Sequence, residues 1–284
     1  MKTLREAACA KINLFLHVTG RRPDGYHLLD SLVGFASVAD GLAATPADSI
    51  TLSITGPYAT TLSSHDNSVL KAAHALARFA AVKQGAALTL QKNLPVAAGI
   101  GGGSADAAAT LRLLMRLWNI VPDAQALDAI ALGLGADVPV CLRSKSLYVS
   151  GIGEALETGP AFAGMPVVLV NPGKPLATAD VFAGVAPPFS TPARRPVEFA
   201  SFSACVQFLA KCRNDLEMPA MQRLPEIAKV KELLSTQEGC GLARMSGSGA
   251  TCFGLFEQAE LANKAAAALV AAEPGWWVQA TQLM

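Results

Sequence analysis

Leu94-Pro95-Val96-Ala97-Ala98-Gly99-Ile100-Gly101-Gly102-Gly103-Ser104-Ala105-Asp106 is the stretch whose reading decides the fold. Glycine crowds positions 99–103, and then the chain changes character. From Ala105 to Trp118 it predicts a helix, with Ala108, Leu111, Met115 and Trp118 on one stripe. Ser104 is placed to cap that helix and Asp106 to sit in its first turn. A glycine run that opens a helix makes an anion site. Backbone N–H groups approach a phosphate without Cβ obstruction, and the helix end adds roughly half a positive charge. A flexible linker is the plainer alternative, but linkers seldom end in a cap followed by an amphipathic helix.

The stretch is neither of the two commonest phosphate loops. A P-loop needs a Lys-Ser or Lys-Thr pair after its last glycine, and here Ser104 follows Gly103 directly. A dinucleotide fingerprint forced from Gly99, Gly101 and Ser104 lacks the preceding strand, because Pro95 interrupts the approach. Phosphate would be held by backbone and helix end, and a cation for the transferred group must come from elsewhere.

Working outward, 284 residues suffice for one large domain or two modest ones, and 51% hydrophobic residues can fill a sizeable core. A net charge of +1 without basic runs argues against nucleic acid as a partner. Apolar stretches such as Ala265 to Ala272 are too short to span a bilayer, and Met1 to Ala10 lacks the apolar core of a secretory signal. The expected setting is cytoplasmic, with no membrane partner. The six cysteines show no paired spacing, and Cys141, Cys205 and Cys252 read as small core residues.

Residues 7 to 18 alternate, which predicts a half-buried strand with Lys11 and Asn13 on one face. On their own, two such residues are usually solvent-facing. Pro23-Asp24-Gly25 predicts a turn, and Tyr26-His27 opens a returning strand that runs through Val33. A strand over 49–54 precedes a helix from Val69 to about Val82, capped within Asp66-Asn67-Ser68. Ala87 to Gln91 is a short strand ending at Lys92-Asn93. Another helix starts at Pro122-Asp123 and ends at Gly133 and Gly135. Pro139 then pushes Val138 toward extended backbone, placing Asp137 on a bend. Taken alone, an aspartate there is a turn or cap residue.

Composition shifts at Phe162-Ala163-Gly164, the expected domain boundary. Beyond it come a strand at 166–170, a short helix capped by Thr178 and carrying Phe182, and a proline-rich loop. Helices at 197–212 and 225–234, strands at 242–245 and 251–256, a helix at 258–272 and a final strand at 276–283 follow. That order predicts an antiparallel sheet covered by helices on one side, an α+β arrangement. Ser246-Gly247-Ser248-Gly249 joins two of those strands, and alone it reads as a tight hairpin.

Ala10-Lys11-Ile12-Asn13, the run from Pro95 to Asp106, and Arg244-Met245-Ser246-Gly247-Ser248-Gly249 together resemble the three signature motifs of the GHMP kinases. Arg22-Pro23-Asp24-Gly25-Tyr26-His27, the triple glycine 101–103 and Gly135-Ala136-Asp137-Val138-Pro139 resemble the branch acting on a cytidine-diphosphate-linked methylerythritol in non-mevalonate isoprenoid synthesis. The segment from about 184 to 205 contributes little to the likeness.

The resemblance implies a two-domain α+β GHMP kinase fold: a ribosomal protein S5 domain 2-like N-terminal domain over 1–163 and a ferredoxin-like C-terminal domain over 164–284. It implies ATP-dependent phosphorylation of the 2-hydroxyl of that substrate, with Mg²⁺, by a monomer or homodimer. Asp137 becomes the general base and Lys11 its cationic neighbour. Asn67, Lys92, Pro95, Gly99, Gly101, Gly102, Gly103, Ser104 and Asp106 fall to ATP, with Ser104 the candidate metal ligand. Asn13, Tyr26, His27, Thr178 and Phe182 fall to the alcohol substrate, Tyr26 and Phe182 sandwiching the cytosine. Gly247, Ser248 and Gly249 shape the loop beside the transferred phosphate. By residue pattern alone, Tyr26 and Phe182 are ordinary core aromatics. Two positions depart from many relatives: Ala105 replaces a second serine, and Val33 replaces an aromatic. The competing readings are a GHMP kinase for homoserine or mevalonate, and a non-catalytic nucleotide-binding protein of the same fold.

Overall fold

The alternating segment becomes β1, Leu4–Arg21, and it returns as β2, His27–Ala47, far longer than the turn signals suggest. These come from a computed structural model that describes residues 3–63, 66–162 and 164–284. From Ala10 to Val18 every residue of β1 is buried, so Lys11 and Asn13 are interior, contrary to the usual fate of such a pair. Alternation marks which face is apolar; it does not reveal that the polar face is also covered.

Two compact units share the chain. One comprises the segments up to Ala10, Ala39–Val96 and Gly101–Ser144; the other comprises Lys11–Val38, Ala97–Ile100 and Lys145–Met284. They interleave along the sequence because β1 and β2 each run through both. The boundary expected at Phe162-Ala163-Gly164 passes through Ala163, which lies outside the described residues.

In the first unit the far half of β2 pairs antiparallel with β4, Gly85–Gln91, from Gly41↔Gln91 to Ala47↔Gly85. β3, Thr51–Thr55, runs parallel to β4. Among the described residues four α-helices accompany them: α1 (Ser68–Phe79), α2 (Gly102–Trp118), α3 (Ala124–Leu134) and α4 (Val138–Arg143). Val69, Ala72, Ala73 and Leu76 of α1 and Ala108, Leu111 and Leu114 of α2 are fully buried. Alanine on both helices lets their axes approach, and α1 packs on α2, and α2 on α4. Each buried leucine contributes about 1.5–3 kcal/mol. The expectation of extended chain after Asp137 is corrected: α4 begins there, with Pro139 in its first turn, where a missing N–H costs nothing.

In the second unit the near half of β2 pairs antiparallel with β5, Leu147–Gly151, which pairs in turn with β6, Ala155–Thr158. β7 (Pro166–Asn171), β8 (Cys240–Met245), β9 (Cys252–Phe256) and β10 (Trp277–Gln282) form an antiparallel sheet in the order β10-β7-β9-β8. Between β7 and β8 come α5 (Thr178–Ala183), α6 (Phe202–Ala210), α7 (Glu217–Arg223) and α8 (Glu226–Ser235), and α9 (Ala259–Ala272) joins β9 to β10. That is the ferredoxin-like plan. Val168 and Val170 pack with Ile227, Val230, Leu234 and Leu269 in its core. The helix expected from Val197 starts only at Phe202, where Ser201 accepts a bond from the Ala204 N–H. The sequence reading missed α7, a seven-residue helix whose Pro219 masks the pattern.

Candidate nucleotide and alcohol sites

In the first unit the glycine run does open a helix, but one turn earlier than its residues suggest. Gly101 takes a left-handed conformation (φ 64°, ψ 20°) that an L side chain rarely adopts, and α2 starts at Gly102. Ser104 is therefore the third helical residue rather than the cap, and Asp106 lies beyond the first turn. The N–H groups of the helix end without an intrahelical acceptor are those of Gly101, Gly102, Gly103 and Ser104, since the ladder starts where Ala105 N–H donates to the Gly101 carbonyl at 2.8 Å. A Cβ placed on Gly103 would stand 3.8 Å from Ser68 Oγ, so the first turns of α1 and α2 adjoin. Two positive helix ends thus lie close together. Asn67 caps α1, its Oδ1 accepting from Val69 N–H at 2.9 Å.

Beneath this loop lies a charged cluster. Lys92 is 2% exposed; its Nζ donates to Asp40 Oδ2 at 2.5 Å and to Asp106 Oδ2 at 2.7 Å. Asp40 Oδ1 also accepts the N–H groups of Asn93 and Leu94, at 2.6 and 2.8 Å. Lys92 Nζ lies 3.2 Å from where a Cβ on Gly102 would stand, so the ammonium sits directly under the start of α2. Burial pushes the Asp106 carboxyl up to about 7; Lys92 opposes that rise and the Asp40 charge adds to it. Burial also acts to lower Lys92, but its two carboxylates outweigh this and hold it above its ordinary value. Lys92, tied to both Asp40 and Asp106, thus braces the loop from beneath. Pro95 is buried in the same approach to α2.

In the second unit Ala97–Ile100, the other half of the loop, is laced to the Ser246–Thr251 motif. Thr251 N–H donates to the Ala98 carbonyl at 3.1 Å, and Ser246 Oγ donates to the Gly99 carbonyl at 3.0 Å. A Cβ on Gly99 would lie 2.5 Å from the Ser246 carbonyl oxygen and 2.6 Å from Gly249 N, at a φ of 73°. Only glycine fits. Lys11 N–H donates to the Ile100 carbonyl at 3.0 Å, and Asn13 N–H to Ser246 Oγ at 3.1 Å. β1, the loop and the second motif are thereby one hydrogen-bonded assembly carrying Lys11, Asn13, Gly99, Gly247, Ser248 and Gly249. The plain hairpin reading of Ser246–Gly249 is incomplete: the turn is also a clamp on Gly99.

Thr178 is the first residue of α5 and not its cap, which is Ala177; its Oγ1 shares a hydrogen bond with Ser248 Oγ at 2.9 Å. The His27 and Phe182 rings lie 5.3 Å apart at 30°, and Tyr26 beside them is 61% exposed. So Tyr26 is no core aromatic. His27 Nε2 is buried without a hydrogen-bond partner among the described residues. Burial, helped by the positive charge of Arg21, lowers the His27 pKa and keeps the ring neutral. A flat neutral ring, a stacked phenyl and an exposed phenol suit a planar heterocycle.

Lys11 is 4% exposed on β1, and Asp137 stands at the N-cap position of α4 without capping it. Sequence reasoning missed three polar groups that brace the loop, the second motif and Asn13. Asp40 gathers Lys92 and two N–H groups, Asn214 Nδ2 donates to the Met245 and Gly247 carbonyls at 2.9 and 2.8 Å, and Ser31 pairs with Asn13. None sits in a motif, and only burial of a polar side chain reveals them.

Residues 67–145 match the GHMP kinases N terminal domain, and residues 204–274 match the GHMP kinases C terminal domain. The chain is 50% identical to a 4-diphosphocytidyl-2-C-methyl-D-erythritol kinase of Paramagnetospirillum magneticum, over 98% of this chain and 97% of that one. It is 51% identical to a like-named kinase of Cereibacter sphaeroides, over 97% and 98% of the two chains. A crystal structure of 4-(cytidine 5'-diphospho)-2C-methyl-D-erythritol kinase superposes with a TM-score of 0.82 at 35% identity, covering 99% of both chains. Homoserine kinase from Cytophaga hutchinsonii shares the fold, with a TM-score of 0.73 at 16% identity. By descent as well as by fold, this chain belongs to the GHMP kinases, among the 4-diphosphocytidyl-2-C-methyl-D-erythritol kinases.

Proposed function

We propose that the chain transfers the γ-phosphoryl group of ATP to the 2-hydroxyl of 4-diphosphocytidyl-2-C-methyl-D-erythritol, with Asp137 as general base and Lys11 as its cationic partner. The observation that carries this reading is the half-identity to kinases of that name along virtually the full chain. A tertiary alcohol is a poor nucleophile, so a carboxylate that takes its proton lowers the barrier. A lysine acting with it favours the ionised carboxylate and offsets charge developing on the attacking and equatorial oxygens. Phosphoryl transfer otherwise needs alignment and neutralisation. The N–H groups of Gly101 to Ser104, which have no intrahelical acceptor, fit the phosphates, and Tyr26, His27 and Phe182 fit the cytosine.

Mg²⁺ would arrive with the nucleotide. Among the described residues no cluster of three His, Cys, Asp or Glu side chains could hold a metal. Magnesium is content with phosphate oxygens, waters and one or two protein oxygens, so this donor set fits, with the Ser104 hydroxyl as the candidate ligand. The ion would neutralise the β- and γ-phosphate oxygens. We place the chain in the cytoplasm, as a monomer or homodimer, with the functional division at 163/164. No helix among the described residues is long and apolar enough to cross a membrane.

A coupled ADP-release assay with the cytidine-diphosphate substrate, mevalonate and homoserine side by side tests the reading. Turnover is expected with the first alone, with cytidine nucleotides inhibiting. Turnover with either of the others, unaffected by cytidine nucleotides, would overturn it.

A further inference from the structure

Asn13 is 5% exposed, and its Oδ1 is buried with no hydrogen-bond partner among the described residues. Leaving a buried acceptor unpaired costs about 1–3 kcal/mol, and folded proteins rarely keep one without a use. What holds the amide in that orientation is Ser31. Its hydroxyl donates to the Phe15 carbonyl at 2.5 Å, and Asn13 Nδ2 stands 2.9 Å from the same oxygen. A serine has one proton, and here it is committed to Phe15, so toward Asn13 the oxygen can only accept. The NH₂ of Asn13 must therefore face Ser31 and the carbonyl oxygen must face away. The assignment follows from proton counting and not from the placement of atoms that look alike. A flipped amide would set two oxygen lone pairs against each other.

The freed oxygen faces the second glycine motif. A Cβ on Gly247 would lie 3.2 Å from Asn13 Oδ1, so the missing side chain leaves that face clear. Ser31 itself is 1% exposed on β2, paired with Val149 across the sheet.

We infer that Ser31 is a positioning residue that fixes the Asn13 amide with its carbonyl oxygen toward Gly247, making Asn13 a dedicated acceptor for a hydroxyl of the alcohol substrate. This rests on the proposed reading in which Asn13 meets that substrate. Ser31 thereby favours a substrate that presents a hydroxyl proton at this point over one that presents only an acceptor, and it leaves the nucleotide untouched.

The test is a double-mutant cycle in steady-state kinetics, with KM measured separately for 4-diphosphocytidyl-2-C-methyl-D-erythritol and for ATP. Asn13→Ala is expected to raise the alcohol KM about tenfold, the worth of one hydrogen bond. Ser31→Ala should raise it by roughly three- to tenfold, leave the ATP KM within about twofold, and add nothing in the double variant. Ser31→Thr, which keeps the hydroxyl, should restore the parent value. Ser31→Cys, nearly isosteric but a poor acceptor, should behave as Ser31→Ala does and serves if the alanine variant folds poorly. A raised KM in Asn13→Ala with Ser31→Ala and Ser31→Cys silent, or effects that multiply in the double variant, would overturn the inference alone. An unchanged alcohol KM in Asn13→Ala would overturn the reading beneath it, and the inference with it.

Discussion

The two halves of the loop are held by opposite means. Past Gly101, in the first unit, the support is charge: one buried ammonium between two carboxylates under a helix end. Up to Ile100, in the second unit, the support is neutral: hydroxyls, amides and carbonyls laced across β1 and the Ser246–Thr251 turn, with glycine where backbones touch. The contrast follows from what each half is proposed to do. Phosphate binding needs positive potential from helix ends, and a compensated cluster below leaves that potential in place. An alcohol needs an oriented set of donors and acceptors, and geometry is what neutral lacing supplies. The first half should therefore answer to pH, and the second to steric insult.

The largest effect should come from the residues proposed to do chemistry. Asp137→Asn should lower kcat by about 10²–10⁴-fold while ATP binding, read by titration calorimetry, persists. Lys11→Ala should likewise act on kcat more than on the ATP KM; a change confined to KM would make Lys11 a binding group. Next comes the neutral half. Gly99→Ala forces a Cβ to within 2.5 Å of the Ser246 carbonyl at a positive φ, and about 3 kcal/mol or more of stability should be lost, read by urea unfolding. Near-parental stability would show that the lacing yields.

The charged half should reveal itself through pH. Asp106 carries its proton up to about 7 in the folded protein but ionises near 3.8 when unfolded. The folded state therefore binds more protons between those values. The contribution is full below the unfolded pKa and fades as pH rises toward 7. Thermal stability should accordingly fall from about pH 4 to pH 7 and level off above, and Asp106→Asn, which mimics the protonated acid, should flatten that slope. An unchanged slope would place the titration elsewhere. The smallest effect is Asn67→Ala, about 1 kcal/mol from loss of the α1 cap, with a modest rise in the ATP KM.

How much of this was legible before any coordinates is best seen at particular residues. Most strands and helices of the second unit followed from periodicity, α7 excepted, and the antiparallel α+β plan with them. The start of α2 did not, because a serine looks like a cap and three glycines look like a loop. In fact the left-handed Gly101 ends the loop, and two glycines are helical. Asp137 was read as standing on a bend, but the α4 that starts there was not foreseen: six residues with a proline are too few to show a period. Lys92 was expected beside the nucleotide, and its ammonium is tied to Asp40, 52 positions away. Asp40, Ser31 and Asn214 were invisible for the same reason. Each acts through a partner distant in sequence, and no local pattern records that pairing.

One measurement reaches the central claim most directly: proton-coupled ³¹P NMR of the product formed from ATP and 4-diphosphocytidyl-2-C-methyl-D-erythritol. The carbon that carries the 2-hydroxyl bears no hydrogen, so the account predicts a new phosphomonoester resonance without three-bond proton splitting, beside an intact diphosphate. A resonance split by neighbouring protons would place the phosphate on a different hydroxyl, and no new monoester at all would contradict the account outright.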